Sequence, residues 1–424
     1  MAHNVPLVVN YLRTHSFGDL FTEHGVNVRP SADGSKFSLN YDQIEAKNGD
    51  PIAECCRGLV IRPIKHDAID SCYNGAVGEV EVLAWPMNRF YNAGTPAGDV
   101  VDWSDPGLVV SEKIDGTCCI LYWDPQYVQW CVATRSVPDA DVVIKNGDVV
   151  HGDMTFSKLF WVAYNNTVKD SDGKIIGIEN VGLNKEFTYV FELTSRYNRV
   201  VVDYDEPKIT LLAMRDIVTG RELDVRGMAA PKFLPRPITF TRCRGSLHEA
   251  IELANSYPPS QMEGIVACDS KFRRVKVKSR AYVLSAKVNS YLNDSLPRVL
   301  ETIIGGTIDD VVAHVDQTSA RKIEMLVAAY KSFTATVNKN FKKWKDECGD
   351  DRKAFALKVT SSAQWSAPYF SLWKSPDKTI TSIFSADLEN KRLSRSTLDH
   401  ILSAMNTIDG TITGDTKASP CVNE

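Results

Sequence analysis

The chain has 424 residues, 43% hydrophobic and 24% charged, with a formal net charge of −4 and 10 cysteines. That length exceeds what one hydrophobic core serves, since cores stop growing at roughly 250–300 residues, so two domains are expected. The acid excess excludes a polycation that binds nucleic acid by bulk charge, and no uncharged run approaches the ~20 residues of a membrane span.

The first twenty residues carry no basic segment followed by a long apolar run, which predicts a cytoplasmic protein without a membrane anchor. From about residue 55 to 280 the chain reads as strands. Gly58–Arg62, Leu108–Glu112, Cys118–Trp123 and Thr188–Leu193 are β-branched and aromatic runs separated by Gly, Asp, Asn and Pro. They predict an antiparallel or mixed sheet core with helices outside it, one near Leu247–Ala254. This is a first domain over residues 1–283, including an N-terminal subdomain to about residue 100. Beyond Ala281 the spacing changes. Ser319–Tyr330 places apolar residues three and four apart, so residues 284–424 are expected to form an all-helical domain whose polar tail, from about Thr407, frays. The fold class is α+β.

Cys55-Cys56 and Cys118-Cys119 lie in apolar segments, and no pair has zinc-ligand spacing; they read as reduced packing residues. Two basic runs, Lys271–Arg280 and Lys339–Lys345, could touch nucleic acid locally, although such runs are commonly solvated faces.

The chemistry centres on Lys113-Ile-Asp-Gly116, a turn between the strand-like runs Leu108–Glu112 and Cys118–Trp123. Asp-Gly is also an ordinary hairpin turn, so the weight comes from what accompanies it. Arg57-Gly58 precedes it. Glu192 and Glu263 follow in strand-like segments, and Lys276 and Lys278 alternate with Val275 and Val277, which puts both ammonium groups on one strand face. A lysine attacks only as the neutral amine, so its pKa must fall from about 10.4 through desolvation or nearby positive charge. Lys276 and Lys278 could supply that charge and answer the charge of a triphosphate.

In this order the segments resemble the motifs of the covalent nucleotidyltransferases, which comprise polynucleotide ligases and mRNA capping enzymes. Glu54–Leu59, Trp85–Asn92, Asn198–Val201, Lys276–Ser279 with Tyr282, and Arg321–Glu324 narrow this. Together they are similar to the bacteriophage T4 RNA ligase 1 family, from about residue 35 to beyond Lys358. The resemblance implies a nucleotidyltransferase domain followed by a helical domain that reads the RNA. It implies ATP and Mg²⁺ or Mn²⁺ as cofactors and a monomer acting on single-stranded RNA or nicked tRNA, with ends healed by a polynucleotide kinase-phosphatase. Three steps follow from it: AMP passes from ATP to Lys113, then to an RNA 5′-phosphate, and is displaced by an RNA 3′-hydroxyl.

By the same resemblance Lys113, Glu192, Glu263, Lys276, Lys278 and Tyr282 are catalytic. The nucleotide would be held by Leu39, Arg57, Arg89, Asp115 and Gly116 together with Lys113, Glu192, Glu263, Lys276 and Lys278. Asp309 and Asp310 match an acidic pair assigned to magnesium, and adjacent carboxylates suit a hydrated Mg²⁺; they would equally cap a helix. The chain departs from the family in three places. Arg89 stands for the usual lysine and changes a point donor into a fork. Leu39 stands for a tyrosine, so only a backbone contact could persist there. Ala133–Val137 replaces a family Ser-Lys-Gly-Ser, which leaves Arg135 in the place of a phosphate-binding lysine. Two other readings are a DNA ligase or capping enzyme, which would append five short strands after Lys278, and a catalytically dead RNA-binding protein, which would lack the nucleophile.

Overall fold

The computed structural model describes residues 5–64, 69–98, 100–146, 149–241, 246–286, 296–306, 308, 317–363 and 365–409. Its contacts divide the chain into two units, Met1–Val283 and Leu284–Glu424.

The first unit holds three main sheets. β1 (Val26–Pro30), β2 (Phe37–Tyr41), β3 (Arg57–Pro63) and β4 (Val80–Ala84) form an antiparallel meander. Helices Leu7–Leu12 and Phe17–His24 close one face, where Val8, Phe17, Leu20, Leu39 and Leu59 are buried together. The next strands are β5 (Tyr91–Asn92), β6 (Val109–Lys113), β7 (Thr117–Asp124), β8 (Gln129–Thr134), the hairpin β9 (Val143–Asn146) and β10 (Val149–Thr155), then β11 (Phe187–Thr194), β12 (Lys208–Asp216), β13 (Glu222–Leu223), β14 (Gly264–Cys268) and β15 (Arg274–Lys278). Five of them form an antiparallel sheet in the order β13-β12-β11-β7-β8. Four form a mixed sheet, β5-β15-β14-β6, in which only β5 runs parallel to its neighbour.

Burial pattern explains these roles. β7 is apolar along most of its length because both faces are covered: Cys119 and Leu121 pack with Phe160 and Phe191, while Ile120 and Tyr122 pack with Val60 and Leu83. β15 alternates. Val275 and Val277 are buried against helix Leu247–Ser256, and Lys276 and Lys278 face the other way.

The second unit is helical throughout its described residues. Helices Leu296–Ile304, Gln317–Cys348, Arg352–Ser362, Ala367–Lys374, Ile380–Glu389 and Arg395–Asp409 surround a core that includes Leu300, Ile323, Phe355, Leu372 and Ile401. The architecture is therefore α+β, sheets first and helices after, as the periodicity predicts. The 32-residue helix Gln317–Cys348 runs further than the periodic segment read from the sequence. No described helix is long and apolar enough to cross a membrane. The described cysteines are free thiols.

Candidate active site

β6 ends at Lys113, and the short turn Ile114-Asp115-Gly116 leads into β7. The register then decides what Lys113 meets: Gly264 of β14 lies opposite Lys113 on one side and opposite Lys278 of β15 on the other. Glu263, one residue before, is buried at 4% exposure, with each carboxylate oxygen on a different lysine. Oε2 accepts from Lys113 Nζ at 2.7 Å and Oε1 lies 2.7 Å from Lys278 Nζ. Gly264 makes this approach possible. Its φ is +153°, and a Cβ there would stand 2.1 Å from the Val277 carbonyl oxygen.

The turn itself is clamped from behind. Asp115 is 3% exposed; its Oδ2 accepts from the amides of Val201 (2.9 Å) and Val202 (2.8 Å), and its Oδ1 accepts from the Tyr282 hydroxyl. Burial raises the Asp115 pKa, while the Tyr282 hydrogen bond works against that shift. Burial likewise pushes the Tyr282 phenol far up, so it stays a donor. Gly116 has no room for a side chain, because a Cβ would come within 2.4 Å of the Leu193 carbonyl oxygen. Asn198 ties the same region together, donating to Thr117 Oγ1 (2.9 Å) and the Leu193 carbonyl (2.8 Å). Asp115, Gly116 and Tyr282 thus hold the loop that carries Lys113.

A cleft of about 350 Å³ opens between the five-stranded and four-stranded sheets, and Arg57, Phe90, Lys113, Glu192 and Leu212 are on its wall. Phe90 is flanked by two cations, the Arg57 guanidinium at 5.2 Å and Lys276 Nζ at 5.4 Å from its centroid. Burial, then the neighbouring charges of Lys113, Lys278, Arg57 and Arg135, brings the Lys276 pKa down to about 8. Glu192, on β11 opposite Cys118, is pushed up to about 7 by burial, against the pull of Lys113 and with the repulsion of Glu263. The cleft wall thus sets Arg57, Lys113, Arg226, Arg236 and Arg274 beside Glu112, Glu192, Asp224 and Asp269, with the Glu192 carboxyl pushed up toward neutrality.

The remaining candidates lie elsewhere. Arg89 donates to the Ala46 carbonyl (3.2 Å) and Asn48 Oδ1 (3.0 Å), lies over the rings of Tyr41 and Tyr91, and lines a second cavity. The Leu39 side chain is fully buried in the N-terminal core. Asp309 and Asp310 fall outside the described residues. The basic run Lys339–Lys345 is partly answered from within: Lys345 binds Asp350 at 2.7 Å and the Gly349 carbonyl at 2.8 Å, and Lys343 lies 3.9 Å from Glu347. Phe90 and Asn198 were not singled out by sequence reasoning, although both fall in segments that carry the family resemblance. Their roles depend on partners far along the chain.

No group of three or more His, Cys, Asp or Glu side chains among the described residues could hold a metal ion. The cleft wall carries Glu112, Glu192, Asp224 and Asp269. Glu112 accepts from the Ile238 amide, Asp224 and Asp269 pair with Arg226 and Arg273, and Glu263 is committed to two ammonium groups, so Glu192 is the wall carboxylate best placed to meet an ion. That set fits a hydrated divalent ion completed by phosphate oxygens, not a protein-only cage.

No family model matches the chain. A candidate bifunctional polynucleotide kinase/RNA ligase of Autographa californica nuclear polyhedrosis virus is 26% identical over 322 residues, 75% of this chain and 42% of that protein. An RNA ligase of Rhodothermus phage RM378 is 29% identical over 184 residues, 38% of this chain and 37% of that one. The chain is similar in sequence to RNA ligases. It spans less than half the length of either relative. Among solved structures, an archaeal ATP-dependent RNA ligase aligns at a TM-score of 0.43 with 16% identity, covering 78% of this chain and 83% of that one. A Naegleria gruberi RNA ligase mutant with ATP and Mn aligns at 0.32 with 14% identity, covering 43% and 52%. Superpositions this loose carry no argument about the site. The sequence similarity agrees with the resemblance borne by the motifs around Arg57, Lys113, Glu192, Glu263 and Lys276.

Proposed function

We propose that this chain is an ATP-dependent RNA ligase that joins RNA 5′-phosphate and 3′-hydroxyl ends, with Lys113 as its nucleophile. The observation that carries the reading is the Lys113–Glu263–Lys278 bridge, which places Lys113 on the wall of a cleft shared with Arg57, Arg274 and Glu192. Lys113 Nζ attacks the α-phosphorus of ATP, forming an N–P bond as the P–O bond to pyrophosphate breaks. Glu263 Oε2, hydrogen-bonded to Nζ, is placed to take the departing proton. Lys276, Lys278 and Arg57 meet the charge that builds on the transferring phosphoryl group and on pyrophosphate. Phe90, with Arg57 and Lys276 over its ring, sets an aromatic surface beside those cations on the cleft wall. A divalent ion near Glu192 would neutralise phosphate charge when bound.

The AMP then passes to an RNA 5′-phosphate, and an RNA 3′-hydroxyl displaces it. Repair of broken tRNA, with a kinase-phosphatase supplying the ends, is the finer form of this reading. The name of the baculoviral relative, which joins kinase and ligase in one protein, supports it. The described residues after 284 form helices and no strand, which favours a ligase of this kind over a capping enzyme, whose appended domain is five short strands. Incubation with ATP or GTP labelled at the α-phosphate tests the reading: label transferred from ATP alone supports it, and label from GTP alone overturns it.

A further inference from the structure

The second cavity of the first unit, about 570 Å³, shares Phe90, Phe272 and Arg274 with the cleft that holds Lys113. Arg215 and Lys271 also line it. Its charge is unbalanced. The side chains of Arg215 and Arg274, 8% and 10% exposed, both bind the single carboxylate of Glu222, Arg215 at 3.2 Å. Two buried guanidinium groups share one carboxylate, with the Trp85 ring centroid 4.8 Å from Arg215 and the charge of Asp269 acting on Arg274, so Glu222 alone does not balance the pair, which is costly away from water. The Nε of Arg215 is buried and has no hydrogen-bond partner among the described residues, and burial lowers the pKa of this arginine.

The wall between the two cavities is unusual. Phe272 sits at the tip of the β14–β15 hairpin with φ +59°, a left-handed conformation that a bulky side chain seldom adopts. Asp269 enforces it: its Oδ1 accepts from the amides of Lys271 and Arg273, both at 3.0 Å, and its carbonyl accepts from Phe272 N at 2.9 Å. Backbone strain of this sort persists where the surrounding structure over-determines it, and it clusters at binding sites. Here it fixes an aromatic ring on the wall that Arg274 and Lys271 also line.

We propose that this cavity is a second nucleotide subsite for single-stranded RNA, in which a phosphate meets Arg215, Arg274 and Lys271 while a base stacks on Phe272. The inference rests on the ligase reading and adds to it the strand position next to the reacting end. A phosphate oxyanion could come from the 5′-phosphorylated strand or from the backbone of the strand that offers its 3′-hydroxyl.

The test uses the full chain and two fluorescent oligoribonucleotides, one 5′-phosphorylated with a blocked 3′ end and one with 5′- and 3′-hydroxyl ends. Binding is read by anisotropy across a salt series for the parent, Lys271→Glu and Phe272→Asn. Lys271 is exposed, and asparagine tolerates the left-handed backbone. Weakening by about tenfold or more is expected for Phe272→Asn, the scale of a lost base stack. Lys271→Glu should lower the slope of log affinity against log salt by about 0.7, one phosphate contact on a single strand. Loss confined to one oligonucleotide assigns the subsite to that strand. If the parent forms lysyl-AMP and binds RNA while both variants bind as the parent does, the subsite is wrong and the ligase reading stands. If the parent binds neither RNA nor AMP, both fall together.

Discussion

Lys113 Nζ and Glu263 Oε2 stand 2.7 Å apart because Lys113 faces Gly264 in the register of β6 and β14, which puts the preceding carboxylate at the lysine's tip. Glu263→Gln keeps the shape and removes the charge that both Lys113 and Lys278 answer. Adenylylation is expected to slow on the order of a hundredfold or more, the scale of a lost proton acceptor. Single-turnover labelling checks this; a rate within about threefold of the parent contradicts it.

Lys276→Ala and Lys278→Ala remove the cations proposed to meet the phosphates. Each is expected to lose adenylylation by about a hundredfold, as when one electrostatic donor to a transition state is deleted. Variants that keep the parent rate would make both lysines the solvent face of an amphipathic strand.

Gly264→Ala should damage the site through the backbone. With φ at +153° and a Cβ 2.1 Å from the Val277 carbonyl, β14 and β15 must part. A loss of stability of at least about 2 kcal/mol is expected, read from urea unfolding. An unchanged midpoint would contradict the register on which the Glu263 bridge depends.

Glu192 gives a stability signature in pH. Its pKa rises on folding from an ordinary 4.5 to about 7, so across that window the folded state holds more protons than the unfolded state. Stability contributed by this group is therefore present below about pH 4.5 and lost as pH rises through 7. Glu192→Gln should remove that fall, visible as a difference between parent and variant urea midpoints from pH 4.5 to 7. Parallel profiles would show that the carboxyl is not raised.

Much of this site is legible in the sequence because it is local. The Lys-Val-Lys alternation of β15 alone puts Lys276 and Lys278 on one face, and the strand-turn-strand around Lys113 holds that lysine on a rigid edge. What sequence does not reveal is non-local. Asp115 reads as a turn residue, yet its carboxylate is spent on Val201, Val202 and the hydroxyl of Tyr282, 167 positions away. The direction of Arg89 is set by a carbonyl and an amide in the loop at Ala46–Asn48. The two guanidiniums and the Glu222 carboxylate they share come from three different strands, so no spacing announces them.

The helical unit has its own core and is proposed to read the RNA. A chain ending at Val283 keeps the residues from Arg57 to Tyr282, so it should still form lysyl-AMP at least in part. It should lose any preference for nicked tRNA over an unstructured strand, since Lys339 and Lys342 would be gone. Sealing rates on the two substrates in the same ratio as for the full chain would reduce the helical unit to a stabilising role.

The covalent intermediate is the central claim, and peptide mass mapping of the full chain after exposure to ATP tests it most directly. The account predicts one AMP on Lys113, bound as a phosphoramidate that acid cleaves and base spares, and no adduct in Lys113→Ala. An adduct on any other lysine, or one that persists in Lys113→Ala, would contradict it.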